Sequence, residues 1–196
     1  MSTQKLPYWR LSSVYFFYFA SLGALIPYFG LYLHSLGFLA AQVGLVFAVM
    51  QGTKLVAPSL LAALSVRFKN RMQLVQLAAL LTVLCFGFLL VEQTFYWVLV
   101  ITFSFSFFWN AMLPQFESIT LTKLGTNTHA YSDIRLWGSL GFIATVAGAG
   151  FILDIIGLAL WPWLVCLCLL AVFLSSLTLQ QKQIKQQVGY NNSTLS

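Results

Sequence analysis

Three charged residues lie inside long apolar runs of this sequence, and their types and spacing are its most informative feature. Glu117 lies near the end of one apolar run, and Arg135 follows eighteen residues later at the start of the next. Lys54 lies near the middle of an earlier run. A carboxylate and a guanidinium can pair with each other, and the same groups can bind hydroxyls or a carboxylate. These residues therefore predict a polar binding site in apolar surroundings.

Lys54 is the residue whose position demands most explanation. A charged side chain at the middle of a membrane costs about 2.5–3.5 kcal/mol, so it needs a partner, a water-filled cavity or an anionic ligand. One hypothesis is a buried pair with Glu117 that only fixes helix packing, and the other is contact with a substrate or its counter-charge. Glu117 and Arg135 leave a similar choice between an interfacial salt bridge without a ligand and a substrate-binding pair.

The residues after Arg135 add an aromatic ring and small side chains. Phe142 lies seven residues, or about two helical turns, beyond Arg135 and so on the same face. Its ring either contacts a ligand held by the arginine or makes a plain core or lipid contact. The spacing of Gly138, Gly141 and Gly148 predicts a seam for close helix approach. No HExxH, GxSxG, P-loop or paired-carboxylate pattern occurs, so we expect neither catalysis nor a metal site.

The composition indicates what must position these residues. Hydrophobic residues make up 60% of the chain and charged residues 7%, whereas soluble domains carry roughly 25% charged residues. The apolar runs suit a hydrocarbon core about 30 Å thick. The net charge of +6 does not indicate nucleic acid, because the basic residues lie at the ends of the runs and not in one patch. The sequence predicts an all-α integral membrane protein.

The chain divides into three parts. Residues 1–8 are a predicted cytoplasmic N-terminus, 9–179 a six-helix transmembrane bundle, and 180–196 a flexible cytoplasmic tail that begins a linker to a further half. The predicted helices are 9–33, 41–65, 73–91, 95–122, 132–155 and 158–179. Ser132 is the expected N-cap of the fifth helix.

Charge and symmetry predict the topology. Nine of the ten Lys and Arg residues lie on the side of the termini or at a helix end facing it, so we expect that side to be cytoplasmic. Helices 1–3 and 4–6 have similar lengths, and the first of each set carries a proline, Pro27 and Pro114. Repeats of three helices must insert in opposite orientations, which predicts 3+3 inverted repeats of the transporter kind.

Several short motifs carry a likeness to a known group. The run Phe17-Tyr18-Phe19 in helix 1 is followed in helix 4 by Asn110-x-x-x-Pro114-x-x-Glu117, with Arg135 eighteen residues later. In these features the chain resembles the N-terminal six-helix half of major facilitator superfamily transporters, and among them lactose permease. The resemblance covers about residues 8–179.

A second set of motifs narrows the likeness. The branch in question contains lactose permease, nucleoside–proton symporters and the phenylpropionate transporter. Two features are more similar to the phenylpropionate transporter: the run Tyr-x-x-x-Arg-Leu-Trp-Gly-Ser that starts at Tyr131, and the basic residue Lys54 in helix 2. Phe142 stands where lactose permease stacks a tryptophan on the sugar ring, which weakens any claim for galactosides. The aspartate usual in the loop between helices 2 and 3 is missing from Ser65-Val66-Arg67.

The resemblance implies a binding site and a set of packing positions. The substrate-binding residues it implies are Glu117, Arg135, Lys54, Phe142, Asn110 and Phe19. The implied helix-packing or gating residues are Gly44, Gly138, Gly141 and Gly148, with Gly44 and Gly141 where helices 2 and 5 approach closely.

The resemblance also implies a function. It is proton-coupled symport, by alternating access, of a small polar organic solute: an aromatic or other organic acid, a sugar or a nucleoside. No cofactor is expected beyond the proton gradient. The implied partners are the solute, the lipid bilayer and a second six-helix half, in the same protein or a partner chain, which in this family holds the proton-carrying groups. The implied location is the bacterial inner membrane. The alternative is a stand-alone six-helix scaffold or accessory subunit, and a membrane enzyme lacks the polar cluster it would need.

Overall fold

The computed structural model describes residues 8–65, 70–124 and 128–179, apart from the side chains of 123, 128 and 129. Within these residues six long helices cross the molecule, all of them long and apolar enough to span a membrane. Their bounds are α1 Tyr8–Ser35, α2 Ala40–Ser65, α3 Arg71–Gly87, α4 Phe95–Leu124, α5 Thr128–Ile156 and α6 Trp161–Leu177. Short 3₁₀ turns at Phe88–Leu90 and Leu158–Leu160 extend α3 and precede α6.

The six predicted helices are confirmed, with one clear difference in α5. This helix begins at Thr128, so Ser132 lies inside it and its prediction as the N-cap is wrong. The first turns of α5 are held by Tyr131, whose ring packs edge-on against Tyr15 of α1 at 6.5 Å between centroids. The predicted N-terminal segment up to residue 7, the loop 66–69 and the tail 180–196 lie outside the described residues. The cytoplasmic orientation, which depends partly on their charges, stays a prediction.

Short polar and glycine signals end the helices. Gly37 and Gly157 have φ values of 83° and 89° and make the turns after α1 and α5, where a residue with a Cβ would be strained. Asn70 caps α3 by accepting a hydrogen bond from the Met72 backbone N–H at 3.0 Å. Pro162 lies in the first turn of α6, where its missing N–H costs nothing.

The packing of the helices follows the predicted repeat. Helix α1 packs along α5 and α6, α4 packs along α2 and α3, and α3 contacts α6. Exchanging each helix with the one three places away turns the α1–α5 pair into α4–α2, and the α1–α6 pair into α4–α3. Three membrane crossings reverse the direction of the chain, so the two repeats are inverted. The fold is therefore the six-helix 3+3 bundle that the sequence predicts.

The core is formed mainly by α1, α3, α4 and α6, and one part of it lies where α3 and α6 meet α1. Trp161 is fully buried there, stacks on Phe29 with 5.2 Å between ring centroids, and donates a hydrogen bond from Nε1 to the Ala24 carbonyl at 2.8 Å. The outer surface is apolar as well, with Leu55 82% exposed. Apolar side chains on the outside suit contact with lipid. The helical backbone suits it as well, because its polar groups form hydrogen bonds within the helix.

Candidate functional site

An ion pair joins α4 to α5 at one end of the bundle. The Arg135 Nη1 atom lies 2.7 Å from the Glu117 Oε1 atom, and the two side chains are 48% and 27% exposed. Arg135 also donates from Nη1 to the Tyr131 hydroxyl at 2.8 Å, and that hydroxyl in turn points to Glu117 Oε1 at 3.4 Å. The structure thus brings Glu117 and Arg135 together as a partly exposed, charge-assisted pair with a tyrosine bridge.

Aromatic side chains support this pair from behind. Tyr15 is fully buried, and its ring packs on Phe116 with 5.0 Å between centroids. The edge of Tyr15 meets Tyr131, whose ring centroid lies 6.0 Å from the Arg135 guanidinium carbon. Packed aromatic rings therefore back the ion pair on one side, and its two side chains remain partly exposed.

A cavity of about 270 Å³ lies between α1, α2 and α4. Three of the predicted site residues, Lys54, Asn110 and Phe19, lie on its wall. The lining residues are Tyr18, Phe19, Leu22, Lys54, Pro58, Trp109, Asn110, Leu113 and Pro114. Glu117 follows Pro114 by three residues, less than one turn along α4, so the ion pair lies just beyond one end of this cavity.

Lys54 is exposed on this wall and has no salt-bridge partner among the described residues. The only salt bridge within the described residues is that of Arg135 with Glu117, so the hypothetical pair of Lys54 with Glu117 is not formed. Lys54 is fourteen residues from the start of α2 and eleven from its end, which places its Cα about 16–21 Å along the helix from either terminus. The chain therefore presents an ammonium group near the middle of a transmembrane helix, facing a cavity.

Asn110 connects the cavity wall to a polar contact between α2 and α4. Its Nδ2 atom donates to the Thr53 hydroxyl at 2.8 Å and to the Met50 carbonyl at 3.1 Å. The Thr53 hydroxyl is also 3.0 Å from the Ser106 hydroxyl. Asn110 is therefore a packing residue of the two helices as well as a part of the cavity wall.

Phe142 is not brought to the cavity by the six helices. Its half-buried side chain belongs to α5, and no residue of α5 lines the cavity. Its carbonyl oxygen faces Gly23 of α1, where a Cβ placed on the glycine would lie only 2.7 Å away. The structure thus places Phe142 at the tight contact of α1 with α5.

The sequence and the six-helix fold have counterparts among known proteins. A family model described as the MFS_1 like family matches residues 8–195 of this chain. The chain belongs to the major facilitator superfamily. It corresponds to the N-terminal half of such a transporter, in agreement with its six helices.

Named relatives of the major facilitator protein are transporters of organic solutes. It is 29% identical over 140 residues to the "Probable 3-phenylpropionic acid transporter" of Escherichia coli (strain K12), covering 69% of this chain and 36% of that protein. It is 30% identical over 147 residues to the "Maltose permease" of Geobacillus stearothermophilus, covering 74% of this chain and 37% of that protein. The crystal structure of nucleoside transporter NupG matches with a TM-score of 0.82 at 18% identity, over 92% of this chain and 46% of that one. The matches thus span between about a third and a half of each relative's length.

The predicted packing glycines of the facilitator half fall into two groups, those with close neighbours on another helix and those without. A Cβ on Gly141 would collide with the Phe16 carbonyl of α1, and one on Gly138 would meet the Phe19 ring at 2.6 Å. By contrast, a Cβ on Gly44 or Gly148 would meet no atom within 4 Å in the described part of the chain. Within the described residues Gly141 lies at the contact of α5 with α1, and Gly44 meets no neighbour, so the implied close approach at Gly44 stays a prediction.

Three residues of this site were not among the predicted site residues. Tyr131 bridges the ion pair, and Tyr18 and Trp109 line the cavity as a stacked pair with 5.5 Å between centroids. The signal for Tyr131 was its position four residues before Arg135, since side chains at this spacing meet on a helix. Tyr18 and Trp109 gave no such signal, because their meeting depends on how α1 packs against α4.

Proposed function

We propose that this chain is the N-terminal half of a proton-coupled secondary transporter for a small organic acid. The solute is proposed to lie between this half and a second six-helix half, in the cavity bounded by α1, α2 and α4, while the halves rock to give alternating access. The observation that carries the proposal is the unpaired ammonium of Lys54 on the wall of this cavity. The proposed location is a bacterial inner membrane with both termini in the cytoplasm.

The charge of Lys54 supports an anionic solute. Within the described residues no carboxylate lies within 4 Å of its ammonium, so the cost of placing it in the membrane is not offset by a protein partner. A solute carboxylate would supply the missing charge and accept its hydrogen bonds. Ammonium–carboxylate hydrogen bonds are roughly twice as strong as neutral ones, which makes a carboxylate the preferred polar group of the cargo.

The aromatic residues of the cavity support an aromatic or other apolar body for this solute. The half-buried Phe19 ring lines the same cavity as Lys54, and the buried rings of Tyr18 and Trp109 back this wall. Ligand sites generally combine such apolar walls with a few well-placed polar groups. The name of one relative specifies 3-phenylpropionic acid, which carries a ring and a carboxylate. The other two relatives are named a maltose permease and a nucleoside transporter. Sugars and nucleosides are therefore the alternative classes of solute.

The Glu117–Arg135 pair is proposed to contact the polar end of the solute or to exchange partners during the transport cycle. Its two side chains are only partly buried, so a solute can reach them without passing through the core. Without a solute, Glu117 and Arg135 neutralise each other, so neither charge is left unpaired in the empty site. With a solute bound, either group can bind the solute instead. Protons are proposed to be carried by groups of the second half.

Charge substitution at Lys54 tests the proposed solute class. Uptake of labelled 3-phenylpropionate, maltose and a nucleoside is measured in cells that make the whole transporter, with and without an uncoupler that collapses the proton gradient. Lys54→Met is expected to reduce uptake of the acid at least about thirtyfold, and Lys54→Arg to retain part of it, because the arginine keeps the charge. Undiminished uptake of the acid by the Lys54→Met protein contradicts the proposal.

The ion pair is tested separately. Arg135→Ala and Glu117→Ala are each expected to abolish uptake while the amount of protein in the membrane stays at the parent level, because the pair is partly exposed and lies outside the buried core. Uptake and membrane content are measured on the same cells. Normal uptake by both variants removes Glu117 and Arg135 from the proposed site.

A further inference from the structure

The side chain of Phe19 separates α5 from the cavity. On one side its ring lines the cavity beside Lys54 and Asn110. On the other side the ring lies against the buried Gly138, where a Cβ placed on the glycine would be 2.6 Å from Phe19 Cδ2 and 3.2 Å from Cγ and Cε2. Real Cβ atoms do not approach carbon atoms this closely, so the ring can occupy this position only because residue 138 has no side chain.

Packing and hydrogen-bond contacts between α1 and α5 oppose a movement of α5 away from α1. At Gly141, three residues further along, the main chain of α5 touches the Phe16 carbonyl of α1 so closely that no side chain fits. Tyr28 of α1 also donates a hydrogen bond to the Val146 carbonyl of α5 at 2.6 Å. Moving α5 away would break this hydrogen bond and the close helix contact, whereas the atoms that a methyl group at residue 138 meets belong to a side chain. The methyl group is therefore expected to displace the Phe19 ring.

The cavity is the open space that the structure shows next to the Phe19 ring. The other flank of the ring is occupied by Tyr18, whose ring centroid lies 5.7 Å away and which is stacked on Trp109. The cavity has a volume of about 270 Å³. A displaced phenyl ring would fill a substantial part of such a volume, since an aromatic side chain is a large unit compared with the cavity.

We propose that Gly138 is a specificity-determining residue: by seating the Phe19 ring against α5 it sets the size of solute that the cavity accepts. The proposal rests on the proposed function, because it assumes that the solute enters this cavity. Gly138 acts through Phe19 and touches no solute itself, so it is a positioning residue. A larger residue at 138 narrows the cavity, and a smaller residue at 19 widens it.

Cysteine labelling measures this effect without any transported solute, so its failure can be told apart from failure of the proposed function. In the whole transporter the free cysteines Cys85, Cys166 and Cys168 are replaced by alanine, and Leu113→Cys introduces a thiol on the cavity wall. The rates of reaction with N-ethylmaleimide and with the bulky N-pyrenylmaleimide are compared. Gly138→Ala is expected to slow the bulky reagent about tenfold, equivalent to about 1.4 kcal/mol, and the small reagent less than about twofold.

Two further variants complete the test. Phe19→Ala in the Gly138→Ala protein is expected to restore the rate of the bulky reagent, and Phe19→Ala alone to raise it above the parent rate. Gly148→Ala is the matched control on the same helix, because a Cβ there meets no atom within 4 Å among the described residues, and it is expected to change neither rate. Unchanged rates in Gly138→Ala, or equal slowing of both reagents that Phe19→Ala does not reverse, overturn the proposal. If Gly138→Ala does not reach the membrane, Phe19→Ala alone decides it, and an unchanged rate overturns it.

Discussion

The α1–α5 and α4–α2 contacts occupy equivalent places in the two inverted repeats, but the groups that make the contact differ. In the first, glycines let main chains touch: Gly23 lies against the Phe142 carbonyl and Gly141 against the Phe16 carbonyl. In the second, side chains meet through hydrogen bonds, with Asn110 of α4 donating to Thr53 of α2 at 2.8 Å. The glycines of α2 at 44 and 52 face open space in the described part of the chain.

The difference separates a rigid contact from one that leaves room for a ligand. Main-chain contact brings helices close and fills the space between them, as small residues do in membrane helix pairs. Helices α2 and α4 meet through hydrogen-bonded side chains, and the cavity with Lys54 lies beside this contact. One repeat therefore has a close packing surface at the position where the other lines the cavity that we propose as the binding site.

The largest effect is expected from filling the rigid contact. Gly141→Ala places a methyl group against the Phe16 carbonyl, a main-chain atom that cannot rotate away, so α1 and α5 must separate. Overpacking costs about 1–3 kcal/mol, and we expect the upper end of this range. The midpoint of thermal unfolding, followed by tryptophan fluorescence, should fall by several degrees. Gly148→Ala is the control, and equal midpoints for the two variants would show that the contact is not tight.

A smaller loss is expected from removing the polar contact of the other repeat. Asn110→Leu removes the hydrogen bonds to Thr53 and to the Met50 carbonyl, while Thr53 keeps Ser106 as a partner. Hydrogen bonds between membrane helices contribute about 0.6 kcal/mol on average and about 1.7 at most, so we expect a loss of about 1 kcal/mol of unfolding free energy. Ser104→Ala, on the exposed face of the same helix, is the control. A double-mutant cycle with Thr53→Val should show coupling, and strictly additive effects would argue against the contact.

The ion pair between α4 and α5 connects the two repeats, and weakening it should affect transport more than stability. Tyr131→Phe removes the hydroxyl that accepts from Arg135 but leaves the direct contact of Arg135 with Glu117 at 2.7 Å. Because one hydrogen bond contributes about 0.5–1.5 kcal/mol, we expect KM for uptake to rise about two- to tenfold with the unfolding midpoint unchanged. An unchanged KM would make the tyrosine a bystander, and a lower midpoint would make it a packing residue.

The two repeats also show where sequence reasoning succeeds and where it stops. The number of helices follows from apolar runs of membrane length, and the meeting of Glu117 with Arg135 follows from the short connection between their helices. The partner of Gly141 does not follow, because every face of these helices is apolar and periodicity cannot say which face is buried. For the same reason, the isolation of Lys54 from Glu117 could be stated only as one of two alternatives.

The smallest effect is expected at Gly44, and it tests whether the open side of α2 is truly open. Within the described residues a Cβ at this position meets nothing, so Gly44→Ala should be neutral or should stabilise the helix by up to about 1 kcal/mol, since alanine is the better helix former. The unfolding midpoint of the Gly44→Ala protein, measured beside that of Gly141→Ala, checks this. A clear loss of stability would mean that α2 packs tightly against an element beyond the described residues. The contrast between the repeats would then belong to the six helices alone, and the implied close approach at Gly44 would hold with a different partner.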